Sequence, residues 1–140
     1  MQYGICPLSI VPLRAEPKNT SEQTSQLLYG EFFTILDLQK SWSKIQNEGD
    51  GYEGWINNKH FQFIDKSIFQ KLQATKKKYA VELVDFIWKD EDILFPTPIG
   101  SLVSSAQTLG HRFEGKELVE TKSKTKLVST ALHYLNSPYL

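Results

Sequence analysis

The chain has 140 residues, 40% of them apolar, enough to bury one core or two small ones. Sixteen basic residues balance sixteen acidic ones, which excludes the strong positive field with which proteins hold a phosphate backbone. Lys76-Lys77-Lys78 is too short a run to supply such a field and reads as solvated linker.

Along the chain, the first 64 residues read as short strands separated by turn signals, with β-branched and aromatic residues alternating with polar ones. That is the pattern of a small antiparallel barrel or sandwich. Strands are expected at 8–13, 26–28, 32–38, 42–46, 54–57 and 61–64. Glu16-Pro17-Lys18-Asn19-Thr20-Ser21 forms a polar loop, and further breaks fall at Gly30 and at Asn47-Glu48-Gly49-Asp50-Gly51. In Trp42-Ser43-Lys44-Ile45 the alternation sets Trp42 and Lys44 on one face and Ser43 and Ile45 on the other. Strands this short avoid open edges by closing into a barrel.

From 65 to 78 the period changes: Ile68, Phe69 and Leu72 lie at helical spacing among Lys and Gln and predict a helical linker. A second small β unit is expected over 79–120. It has a dense strand region from Tyr79 to Trp88, a turn at Lys89-Asp90-Glu91-Asp92, and a return at Ile93-Leu94-Phe95 that stops before Pro96-Thr97-Pro98. Leu102-Val103 and Leu118-Val119 are weaker strand candidates, and 100–115 has no clear pattern. Over 121–140, Leu127, Val128, Ala131, Leu132 and Leu135 recur at helical spacing behind Ser123 as N-cap, and Pro138 stops the helix. The fold class expected is therefore mainly β: a small barrel, a helical linker, a second small β unit and a C-terminal helix.

A single cysteine, Cys6, excludes an intrachain disulfide and leaves no thiolate set for zinc. Between Ile5 and Pro7 it reads as a buried structural thiol. No metal or other cofactor is expected, and no membrane or nucleic-acid partner. Met1-Gln2-Tyr3-Gly4 lacks the basic start of a signal peptide, and no apolar run approaches the length of a membrane span. With Met1 as the natural start a cytoplasmic location is expected; otherwise, the cell envelope.

Four ordered segments in 1–64 carry a resemblance: Val11-Pro12-Leu13-Arg14-Ala15-Glu16-Pro17, Leu27-Leu28-Tyr29-Gly30-Glu31, Trp42-Ser43-Lys44-Ile45 and Gly51-Tyr52-Glu53-Gly54-Trp55-Ile56. Together they resemble the bacterial Src-homology-3-like domain. In that setting Gly30 supplies a backbone bend before Glu31, Gly54 lets the chain pass closely under an aromatic, and Trp42 and Trp55 cover the ends of a barrel too small to fill with aliphatic residues. The final run LVSTALHYLNSPYL resembles the first helix of NlpC-type cell-wall cysteine peptidases. In that order the chain looks like the non-catalytic N-terminal half of such an enzyme, whose relatives cleave the peptide stems of murein between γ-D-glutamate and a diamino acid.

The resemblance implies that the barrel packs on a downstream catalytic domain and closes the subsite for the free amino terminus of L-Ala in a murein stem peptide. Tyr52 and Trp55 belong to the motif that lines this wall, and Glu16 or Glu31 is the acidic partner for the ammonium. A carboxylate and a phenol oxygen together can hold an ammonium and reject a blocked amine. The plain reading of the same residues is a barrel aromatic and two surface acids. No catalytic residue is assigned: His60, His111 and His133 have no cysteine near them in sequence, whereas the chemistry needs a thiolate, a base and an orienting group. By resemblance the nucleophile would lie beyond Leu140. The alternative is a stand-alone module that binds cell-wall or other peptides through an aromatic groove around Tyr29, Tyr52 and Trp55. A polyproline reader of eukaryotic type is disfavoured, because the Ala-Leu-Tyr-Asp-Tyr start is missing.

Overall fold

The computed structural model describes residues 1–120 together with Val128, Ser129, Ala131, Leu132 and Leu135. The protein is mainly β. Seven strands form the first sheet: β1 (Gln2–Ile5), β2 (Ile10–Arg14), β3 (Gln23–Leu28), β4 (Phe32–Leu38), β5 (Trp42–Asn47), β6 (Glu53–Asn57) and β7 (Gln62–Ile64). Their order across the sheet is β3-β2-β6-β5-β4-β1-β7, and every pairing is antiparallel. The sheet rolls on itself, because Val11, Leu13 and Leu27 from one end of that order share a buried cluster with Phe33, Ile35 and Phe61 from the other. Ile45 and Ile56 join the cluster from the middle strands, and Cys6, just after β1, completes it.

Alternation along β5 resolves as the hydrophobic effect requires: Ser43 and Ile45 turn inward, whereas Trp42 and Lys44 face out. Trp55 likewise sits half-buried on the outer face of β6, opposite Lys44 on one neighbour and Arg14 on the other. The tryptophans therefore do not close the barrel. Aliphatic residues and two phenylalanines fill it, and the close approach at Gly54 is to the Leu13 side chain rather than to an aromatic, a Cβ there lying 3.0 Å from the Leu13 Cβ. The strand β1 has no counterpart among the expected strands, because Gln2-Tyr3-Gly4-Ile5 is short and carries no alternation. It inserts between β4 and β7.

A 3-10 turn, Asn58–His60, precedes β7, and α1 (Lys66–Ala74) follows it. Asp65 caps α1 by accepting from the Ile68 N–H at 2.8 Å and the Ser67 hydroxyl at 2.6 Å. Phe69 and Leu72 bury the helix against Tyr3, Ile5, Phe32 and Leu102, with the Tyr3 and Phe69 rings stacked at 4.1 Å.

The second unit holds two small sheets, β10-β9-β11 and β12-β8, formed by β8 (Lys78–Ala80), β9 (Val84–Trp88), β10 (Leu94–Pro98), β11 (Arg112–Phe113) and β12 (Glu117–Val119). The dense run from Tyr79 to Trp88 is thus two strands in different sheets. Ala80 and Leu83 between them bond to the Ile99–Ser101 segment instead of continuing one ladder. Pro96 and Pro98 do not stop β10, because it is an edge strand of its sheet, where a missing N–H is tolerated. Leu102 forms only an isolated bridge to Tyr79, and Val103–Ser105 is a 3-10 turn. The expected helix over 121–140 falls almost wholly outside the described residues; Val128, Ser129, Ala131 and Leu132 have helical backbone and exposed side chains.

One turn joins the units. At Leu28-Tyr29-Gly30-Glu31 the Glu31 N–H closes on the Leu28 carbonyl at 3.2 Å, and Gly30 takes φ 81°. The Tyr29 carbonyl accepts from the Leu102 N–H at 2.8 Å, and the Gly30 carbonyl accepts from the Ser105 hydroxyl at 2.8 Å. A Cβ on Gly30 would overlap the Leu102 carbonyl. The Tyr29 ring is fully buried in the second unit's core with Ala80, Ile87, Val103 and Ala106. Gly30→Ala is therefore expected to lower unfolding free energy by roughly 2 kcal/mol or more, from left-handed backbone strain and the lost junction. Urea denaturation measures the loss, and amide exchange should show the Leu102–Ser105 amides losing protection first.

Candidate functional site

Of Glu16 and Glu31, the fold places Glu31 in the wall of a cavity. The turn at Tyr29-Gly30 swings its carboxylate back along the end of β3, where Oε2 accepts from the Leu28 N–H at 2.6 Å. Its other oxygen, Oε1, accepts from Asn47 Nδ2 at 3.2 Å. Asn47 ends β5 and opens the hairpin turn, whose Asp50 accepts both from the same Asn47 amide at 3.0 Å and from the Tyr52 N–H at 2.9 Å. A continuous chain of hydrogen bonds thus links Glu31 to the backbone of Tyr52.

The cavity beside Glu31 measures about 40 Å³ and is lined by Phe32, Asn47, Glu48, Lys77, Tyr79 and Leu102. It admits one small polar group and nothing larger. Asn47 is 4% exposed, and its Oδ1 has no hydrogen-bond partner among the described residues. A buried carbonyl oxygen left unpaired is costly and marks a place where a donor belongs. Glu31 and Tyr79 stand in the same wall.

Burial raises the Glu31 pKa above the ordinary glutamate value, opposed by the bonds from Leu28 and Asn47 and reinforced by the Asp50 carboxylate. Burial also raises Tyr79, with the Glu120 and Glu31 charges adding to it. Lys77 does not neutralise Glu31; its ammonium bonds the Leu72 carbonyl at 3.0 Å and lies 5.0 Å over the Phe32 ring. The site is therefore rich in acceptors and poor in donors, which suits an ammonium.

The other named residues fall elsewhere. Glu16 is exposed in the β2–β3 loop and pairs with Lys18. The Tyr52 side chain, 40% exposed, reaches toward β3, where its hydroxyl donates weakly to the Thr24 carbonyl at 3.4 Å. Trp55 stands on the outer face of β6, and Tyr29 is wholly internal, so these aromatics form no common groove. Asn47 and Tyr79 escaped sequence reasoning: the first read as a turn residue and the second as a strand aromatic.

Cys6 is fully buried, and burial pushes its thiol up to about 12, so it is no nucleophile. No cluster of three His, Cys, Asp or Glu able to hold a metal occurs among the described residues. No helix among them is long and apolar enough to cross a membrane.

Residues 13–61 match the family described as the bacterial dipeptidyl-peptidase Sh3 domain. The first sheet is a bacterial SH3-like domain. It is of a type associated with bacterial peptidases, and the match takes in both Glu31 and Asn47 but neither β1 nor the second unit. No curated protein matches the chain.

For Glu31 the linkage has a definite sign. A carboxyl whose folded pKa lies above its unfolded value binds its proton more tightly when folded, so its ionisation destabilises the fold. Relative to Glu31→Gln, the parent chain should lose stability as pH rises from about 4.5, the unfolded value, through the raised folded pKa. Carbon-detected NMR of the side-chain carboxyl should give a midpoint above the ordinary glutamate value. A midpoint at or below that value would contradict the burial described.

Proposed function

We propose that this chain is the substrate-gating and scaffolding part of a murein-peptide hydrolase of NlpC type. In this reading the SH3-like domain carries no chemistry of its own and serves a downstream catalytic domain. The observation that carries it is the partly desolvated carboxylate of Glu31, held by Leu28 and Asn47, in a cavity the size of an ammonium group. The Glu31 carboxylate supplies the charge and an acceptor for the N–H donors of a free amino terminus, in a wall it shares with Asn47 and Tyr79. An acetylated amine has one N–H, no charge and an added acyl group, so the site would reject it on both charge and volume.

Glu31 is favoured over Glu16 as the acidic partner because its carboxylate is held by two hydrogen bonds and partly desolvated. Glu16 points to water beside a lysine and is screened. Tyr52 then serves the site through its backbone, fixing Asp50 and so the Asn47 amide. The match to a peptidase-associated SH3 family over residues 13–61 supports the same class of parent protein.

Isothermal titration of the 140-residue chain with L-Ala-γ-D-Glu-diaminopimelate tests the proposal. The free peptide should bind, its N-acetyl form should bind at least about tenfold more weakly, and Glu31→Gln should remove a similar factor from the free peptide. Equal binding of the free and acetylated peptides would overturn it.

A further inference from the structure

A second and larger cleft, of about 590 Å³, opens where the SH3-like domain meets the second unit. That volume lies in the range of small-molecule sites. Leu8, Ile10, Phe61 and Phe95 give it an apolar wall, and Leu8 and Ile10 remain 43% and 47% exposed. Its charged residues all have one sign. Lys59 comes from the 3-10 turn before β7 and Lys89 from the end of β9; no carboxylate lines the cleft among the described residues. Lys18, Lys44, Lys78, Lys116 and Arg112 each pair with a glutamate. Among the described residues Lys59 and Lys89 pair with none. In a chain of zero net charge this local excess is a property of the cleft and not of the composition.

His111 completes the wall, and its proton is placed by a partner in the core. The Tyr29 hydroxyl lies 2.9 Å from His111 Nδ1. Tyr29 is fully buried and its hydroxyl meets no acceptor among the described residues other than Nδ1, so the hydroxyl donates and Nδ1 accepts, since the reverse would leave the buried O–H unpaired. The neutral ring then carries its hydrogen on Nε2. Phe95 packs edge-on against the imidazole at 5.8 Å and fixes its plane. The cleft thus combines two unpaired ammonium groups, an oriented N–H donor and an apolar floor.

We infer that this cleft binds a small organic anion, a carboxylate or phosphate ester with an apolar body. Lys59, Lys89 and the Nε2–H of His111 hold the charged group, and the body lies against Leu8, Ile10 and Phe95. The inference is independent of the Glu31 site, which selects the opposite charge with different residues.

Titration of the 140-residue chain, followed by NMR, tests it with three probes: phenyl phosphate, benzoylglycine and the neutral benzoylglycinamide. The two anions should shift the His111 ring signals and the amides of Lys59 and Phe95, and the neutral amide should not. Phenyl phosphate acting alone narrows the ligand to phosphate esters, and benzoylglycine alone narrows it to carboxylates. The groups facing His111 are Tyr29 from the β3–β4 turn, Lys89 just after β9, Phe95 from β10 and Lys59 across the cleft. Burial and the Lys89 charge hold His111 below the usual histidine range, so a bound anion, by offsetting Lys89, should raise its titration midpoint. The double variant K59Q/K89Q should weaken anion binding by about tenfold or more while leaving signals remote from the cleft unchanged. Equal shifts from the neutral amide, parent-like affinity in the double variant, or no response to either anion would each overturn the inference.

Discussion

The turn at Tyr29-Gly30 is the constraint on which the rest of the molecule depends. Its backbone is spent on both units at once: the Gly30 N–H bonds the Cys6 carbonyl at 2.9 Å, whereas the Tyr29 and Gly30 carbonyls accept from Leu102 and Ser105. Only a residue without Cβ fits there, because φ is positive and the Leu102 carbonyl lies against the α-carbon. The Tyr29 side chain then becomes a core residue of the second unit. The β3–β4 connection of one sheet is thereby built into the other unit, and the two share the middle cluster of Tyr3, Phe32, Phe69 and Leu102.

The same turn sets the chemistry of both clefts. After it, Glu31 is carried back onto Leu28 and Asn47, into a space where acceptors outnumber donors. Before it, Tyr29 reaches through the core to His111 and fixes which nitrogen of that ring bears hydrogen in a cleft where donors prevail. A net charge of zero conceals this separation. Burial makes each side consequential, because a carboxylate in a partly dry pocket and an imidazole beside a lysine both interact more strongly than they would in water.

Much of the SH3-like domain was legible from residues alone. β4 appears at its expected bounds because Phe32-Phe33-Thr34-Ile35 is dense in aromatic and β-branched residues, and β5 and β6 appear within one residue of theirs because their alternation reports a buried face directly. The helix was legible for the same reason, with Asp65 supplying the cap. Legibility failed where strands lack alternation or obey a neighbour: β1 is too short to show a period, β10 carries prolines that only an edge position tolerates, and β8 and β9 separate only because Ala80 and Leu83 bond the Ile99–Ser101 segment. The tryptophans misled because size suggests burial, yet Trp42 and Trp55 hold the outer face while smaller residues fill the barrel.

The sequence by itself determined the mainly β fold class and the ordered SH3-like motifs, since period, glycine position and turn chemistry are local properties written residue by residue. It also determined that the lone cysteine forms no intrachain disulfide. The resemblance made Glu16 and Glu31 equal candidates, for a carboxylate's exposure is not a local property. Only the tertiary structure distinguishes their surroundings, setting Glu31 under the Leu28 N–H and against Asn47 and Glu16 in water beside Lys18. The pairing of Tyr29 with His111 spans 82 positions and joins two units. No local pattern announces it, because what brings those two side chains together is the packing of the whole chain.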